Sequence, residues 1–149
     1  MIWKPNVTVA AIVERDGRFL LVEEDTAHGR RFNQPAGHLE PGESLIHAVA
    51  RETLEESAYT FEPTGLLGVY QYHSDADRVT YMRFAFTGKI TGHDAGRALD
   101  KGIVRAIWMT PDEIRLETPR HRSPLVMRCV DDYLAGRRYP LGILYHHPS

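Results

Sequence analysis

Between Gly37 and Tyr59 the chain reads GHLEPGESLIHAVARETLEESAY, a loop broken by Pro41 and Gly42 that becomes a helical pattern from about Ser44. At about 100° per residue, Ile46, Ala50 and Leu54 share one face, with Val49 and Thr53 beside them, which predicts an amphipathic helix. Glu52, Glu55 and Glu56 fall within an arc of roughly 100° on another side, bordered by Arg51. Carboxylates this close repel one another by a few tenths of a kcal/mol per pair on an exposed helix. A divalent cation turns that repulsion into attraction, and hard cations such as Mg²⁺ prefer carboxylate oxygens.

The elements around this helix follow from period and punctuation. Val7 to Val13 is an apolar, β-branched run that predicts a buried strand. Asp16-Gly17 is a hairpin signal, with Arg18 to Val22 as the partner strand. Glu23 to Arg31 is polar and is expected to be a loop. Pro35 and Gly37 mark a bend before the helix. After it, Gly65 to Tyr72 and Val79 to Phe86 read as strands around a turn at Asp75 to Asp77. Gly92 to Gly102 is polar and glycine-bearing, which predicts a mobile loop, and Val104 to Met109 a short strand. Thr110-Pro111-Asp112-Glu113 carries an N-cap, a first-position proline and Glu at N3. Ser123-Pro124 is expected to open the last helix in the same way, with Gly136 closing it. This order favours a mixed sheet with helices on both faces, an α/β fold rather than a doubly wound parallel sheet.

Gly37, Glu43, Arg51, Glu52, Glu55 and Glu56 together resemble the Nudix box of the Nudix hydrolases. At ordinary residue usage of about 6% each, six such positions coincide by chance with odds on the order of one in 10⁵. Two positions depart from the family pattern. Thr53 stands where an aliphatic residue is usual, and Ala58 where a late glycine is usual, although Ala enters the left-handed region less readily than Gly. The segments KPNVTVAAIV, NQPAGHLE, YMRFAF, RSPLV and GRRYPL extend the similarity over nearly the whole chain, toward the NudJ-type Nudix phosphatases. The resemblance implies the Nudix α/β/α sandwich and a Gly37 carbonyl acting as metal ligand. It also implies hydrolysis of nucleoside di- and triphosphates, hydroxymethylpyrimidine pyrophosphate and thiamine pyrophosphate.

A phosphoanhydride resists attack because its oxygens are negative, so its hydrolysis needs charge neutralisation, an activated water and positioning. Mg²⁺, or Mn²⁺ in its place, is the expected cofactor, with Glu52 and Glu56 as essential ligands and Glu55 completing the site or holding a second ion. Arg51 can fork onto Glu43 or Glu52 and fix its rotamer. Glu52 is the first candidate for general base, with Asp100 and then Asp94 as distal alternatives. Phe32, Tyr70, Tyr72 and Tyr81 are aromatic candidates for a stacked leaving group. Gln34 and Arg83 are further substrate-side candidates, as is Arg122, which lies at a helix N-terminus suited to anions. A housecleaning, ADP-ribose or dinucleotide pyrophosphatase and a catalytically silent ligand sensor are the competing readings. The four box glutamates weigh against the sensor.

Length and composition exclude other classes. At 149 residues the chain is expected to form one domain over 1–149, as a monomer or homodimer. A net charge of −2 argues against a nucleic-acid clamp. The lone Cys129 forbids an internal disulfide and is expected to be a small buried residue. With no long apolar run and no basic leader before an apolar block, a cytoplasmic location is the expectation.

Overall fold

The computed structural model describes residues 1–149. Its strands are β1 (Asn6–Ile12), β2 (Glu14–Arg15), β3 (Arg18–Thr26), β4 (Gly29–Asn33), β5 (Ala36–His38), β6 (Tyr59–Ser74), β7 (Val79–His93) and β8 (Ile103–Met109). Its helices are α1 (Leu45–Ser57), α2 (Pro111–Leu116) and α3 (Leu125–Leu134). None is long and apolar enough to cross a membrane. One sheet has the order β5-β1-β7-β6, with β1 and β7 parallel and the other pairs antiparallel. In the second, β3 pairs antiparallel with β2, β4 and β8.

The unbroken apolar run at β1 exists because both faces of that strand are covered. Val9, Ala11 and Val13 pack with Ala48 and Val49 of α1, whereas Ala10 and Ile12 pack with Val126, Cys129 and Val130 of α3. β3 divides in the same way, Leu20 toward α1 and Phe19 and Leu21 toward α3. Period-two alternation thus feeds two cores, one per face. Val49 and Val126 are fully buried, each contributing about 1.5–3 kcal/mol. The result is the α/β/α sandwich that the resemblance implied.

Several local expectations change. Glu23 to Arg31 is not a loop: β3 continues to Thr26 and pairs with β4 from Thr26↔Gly29 to Val22↔Asn33. Three acidic residues in a row obscured the hairpin, in which Glu23 is buried against Arg105 and Arg120 while Asp25 faces solvent. The 92–102 segment is tethered rather than free, through Asp94 N–H to the Ala58 carbonyl, Asp100 N–H to the Glu55 carbonyl and Asp25 N–H to the Gly102 carbonyl. On α1 the fully buried side chains are Ala48, Val49, Thr53 and Ser57, while Ile46 is 38% exposed. The helix therefore packs along one edge of its apolar face. α3 begins at Leu125, where the Ser123 hydroxyl accepts the Leu125 N–H.

Both departures from the box pattern are accommodated. The Thr53 hydroxyl donates to the Val49 carbonyl at 2.7 Å, so no buried polar atom is left alone. Ala58 takes the left-handed conformation at φ 64° and donates its N–H to the Leu54 carbonyl, ending α1 where β6 begins.

Candidate active site

Ser44 caps α1, its hydroxyl accepting the His47 N–H. About two turns further on, Arg51 ties the acidic side of the helix to the preceding loop. Its Nε donates to Glu43 Oε2 at 2.6 Å and its Nη2 to Glu43 Oε1 at 3.0 Å and to the His38 carbonyl at 3.1 Å. Its Nη1 donates to Glu52 Oε1 and Glu55 Oε1, both at 2.8 Å. The guanidinium, helped by His47, holds Glu43 down at about 2, and Glu43 in return raises Arg51 above its ordinary value.

The remaining carboxylates shift the other way. Burial pushes Glu56 up to about 8, against one compensating hydrogen bond from the Ala36 N–H at 3.0 Å, and Glu24, Glu52 and Asp100 add repulsion. Burial also raises Glu52 and Glu24, with Arg51 opposing it at the first and Arg122 and Arg83 at the second. Carboxyl groups held above their ordinary range by burial and mutual repulsion form a site that a cation relieves.

The donor set fits such a cation. One oxygen from each of Glu52, Glu55 and Asp100 lies within 4.8 Å of the others. All are hard oxygen donors, suited to Mg²⁺ or Mn²⁺. Gly37 on β5 faces them so closely that a Cβ there would stand 2.1 Å from the Glu52 carboxyl carbon. Asp100 reaches the cluster because its N–H occupies the Glu55 carbonyl in the last turn of α1, where no helical partner remains.

Gly37, Glu24, Glu52 and Glu56 line one cleft of about 380 Å³, with Tyr72, Arg83 and Arg122 among its other walls. The NUDIX domain family matches residues 3–129 of the chain. The chain belongs to the Nudix hydrolase family. It is 37% identical to Phosphatase NudJ of Escherichia coli K12 over 142 residues, which is 95% of this chain and 92% of that protein. A NUDIX hydrolase from Nitrosomonas europaea superimposes with a TM-score of 0.94 at 52% identity, covering 97% of this chain and 98% of the other. The NUDIX domain of Shewanella oneidensis NrtR, solved with ADP ribose, shares the fold at a TM-score of 0.71 and 18% identity, over 89% and 90% of the two chains.

In this Nudix hydrolase the box residues Gly37, Glu43, Arg51, Glu52, Glu55 and Glu56 are drawn together along the acidic side of α1. Of the distal acids, Asp100 stands with them, whereas the exposed Asp94 turns its carboxylate to the Gly96 N–H. Tyr72 and Tyr81 are cross-strand partners on the cleft floor, and Arg83 and Tyr70 form the next pair. The Tyr70 hydroxyl is committed to Asp132 at 2.7 Å. Phe32 and Gln34 are buried beneath the cleft and do not line it. Phe32 lies under the Arg120 guanidinium, and Gln34 bridges Arg83 and the Val126 carbonyl. Arg122 pairs with Asp77 at 3.4 Å and Glu24 at 3.8 Å.

Glu24 escaped sequence reasoning. Its signal was the period-two continuation from Leu20 and Val22, which carries the same face of β3 onward to position 24.

Proposed function

We propose that this Nudix hydrolase cleaves phosphoanhydrides of nucleoside di- and triphosphates and of thiamine-related pyrophosphates, with Mg²⁺ as cofactor. The observation that carries the reading is the division of one cleft between buried, destabilised carboxylates and guanidinium groups, of which Arg83 hydrogen-bonds only neutral partners. Such a cleft suits a substrate that brings both negative oxygens and a cation. The 37% identity to a protein named a phosphatase, over nearly the full length of both, supports the chemistry.

The Gly37 carbonyl, Glu52, Glu55 and Glu56 are the proposed metal ligands. A bound Mg²⁺ neutralises phosphate oxygens and lowers the pKa of coordinated water. Arg51 holds Glu52 Oε1 by one hydrogen bond, which leaves that oxygen a second lone pair for the metal and leaves Oε2 without a side-chain partner to take a proton. In the proposed reaction a water oxygen attacks phosphorus, its proton passes to Glu52 Oε2, and the bridging P–O bond breaks. Asp100, within the same cluster, is the alternative base. Tyr72 and Tyr81 offer ring faces to a heterocyclic leaving group, and Arg122 offers charge at the mouth of α3. The proposed working form is a single domain over 1–149.

The test is release of phosphate and pyrophosphate from nucleoside di- and triphosphates, thiamine pyrophosphate, ADP-ribose and dinucleoside polyphosphates, each with Mg²⁺ and with EDTA. Metal-dependent turnover of simple nucleotides or thiamine pyrophosphate is expected. Turnover confined to ADP-ribose or dinucleotides overturns the substrate class while keeping the chemistry. No turnover of any compound, with metal still bound, points to a ligand sensor.

A further inference from the structure

Arg83 differs from the other guanidinium groups that frame the site. Arg51, Arg120 and Arg122 each meet carboxylates. Arg83 is 5% exposed, yet its protein partners are the Gln34 amide oxygen at 3.0 Å, the Asn33 amide oxygen at 2.8 Å and the Cys129 sulfur at 3.6 Å. None of the three carries the negative charge that a buried cation calls for. Those contacts use Nη1 and Nη2 only. Nε has no protein partner and is not among the fully buried atoms, and Arg83 is one of the residues that line the cleft.

The guanidinium is also held in a fixed orientation. The Gln34 Nε2 donates to the Val126 carbonyl of α3 at 2.8 Å, so its Oε1 must face Arg83. Turning the amide over would set two carbonyl oxygens against each other and leave Nε2 facing a cation. Register then puts the group in context: Thr8, Arg83 and Tyr70 lie side by side across β1, β7 and β6, and Tyr81 and Tyr72 form the row beside them. A pre-oriented cation beside two aromatic faces suits a diphosphate joined to a planar group.

We propose that Arg83 determines specificity by binding a non-bridging oxygen of the substrate's second phosphorus group, selecting compact diphosphates over monophosphates. Gln34 sets the orientation of the fork, and the substrate supplies the direct anionic partner that the protein, with Glu24 acting only from beyond salt-bridge distance, does not. The inference rests on reading the cleft as a phosphoanhydride site.

The probe is methylenediphosphonate, whose P–C–P link resists hydrolysis, titrated calorimetrically with Mg²⁺ present, beside methylphosphonate. Wild type is expected to bind the diphosphonate more tightly than the monophosphonate. Arg83→Gln should weaken the diphosphonate about 10- to 100-fold, with Arg83→Lys between, as loss of a charge-assisted contact predicts. Mg²⁺ affinity measured alone should stay within about twofold, since a lost guanidinium contact to phosphate leaves the carboxylates in place. A merely structural Arg83 would disturb metal and diphosphonate binding together, and that pattern overturns the proposal. Unchanged diphosphonate affinity in either variant also overturns it. In wild type, the Arg83 Nε–H resonance should move on saturation with diphosphonate, and a resonance that stays fixed overturns the proposal even if neither variant folds. Diphosphonate binding through Arg83 without turnover of any compound would leave this assignment standing and remove the hydrolase reading alone.

Discussion

Arg51 grips Glu43 through two parallel hydrogen bonds, Nε to Oε2 at 2.6 Å and Nη2 to Oε1 at 3.0 Å, with the Glu43 side chain 6% exposed. The pair fastens the loop before α1 to the middle of the helix. Because Glu43 sits at about 2 in the folded chain, against 4.5 as a free side chain, the folded state binds fewer protons as pH falls. Its stabilisation is therefore complete above about pH 4.5 and is lost as pH drops toward 2. Glu43→Gln should cost on the order of 3 kcal/mol at pH 7 and flatten the fall in Tm between pH 5 and 2. Thermal melts across that range check it, and parallel curves for the two proteins would refute the linkage.

Gly37→Ala tests the close approach on the other side of the helix. Gly37 has no left-handed φ, so backbone strain is not at issue. The added methyl would have to displace the Glu52 carboxyl group. Misplacing a reacting group by about 1 Å costs on the order of 100-fold in rate. The variant should fold normally and lose about that much kcat, which a melt and an initial-rate assay with Mg²⁺ would show together.

Metal removal should register in stability as well as rate. A ligand at 100 times its Kd stabilises the native state by about 2.7 kcal/mol, or about 5–10 °C in Tm for a chain of this size. Mg²⁺ should raise Tm by that order and EDTA should reverse it. Glu52→Gln and Glu56→Gln should abolish the increment and most turnover. At position 56 an amide oxygen can still accept the Ala36 N–H, so the metal-free fold should persist. Wild-type kcat in either variant would sink the ligand assignment.

Ala58→Gly sets two small terms against each other. Relief of the left-handed conformation gains about 1 kcal/mol. Loss of a methyl that is 3% exposed gives back about 0.8 kcal/mol. The Tm should move by less than about 3 °C, and a larger rise would show that the methyl packs poorly.

What could be read from the chain beforehand follows how local each determinant is. The helix with its start near Ser44, the Asp16-Gly17 turn, found with both residues at positive φ, and the cap signals at Thr110 are set by neighbours in sequence, and each formed as expected. The box acids were legible because spacings of three and four alone bring them together. Glu24 was not, since its place depends on β3 running on past a polar run and on the β4 hairpin. Nor was the charge imbalance at Arg83, because its neighbours Gln34 and Cys129 are 49 and 46 residues away. Which cation lacks a carboxylate within salt-bridge reach is a property of the folded neighbourhood, and no local pattern encodes it. Ile46 shows the limit of periodicity, which defines an apolar face without saying which edge of it is covered.

The segment that brings Asp100 to the site is pinned at both ends by carbonyls that α1 has left over, Ala58 receiving Asp94 and Glu55 receiving Asp100. The position of the acid is thus decided by the end of the helix and not by the length of chain between the two pins. Residues added around Gly96 would lengthen only the free span. A longer loop there would change the rim of the cleft while Asp100 stays beside Glu52 and Glu55.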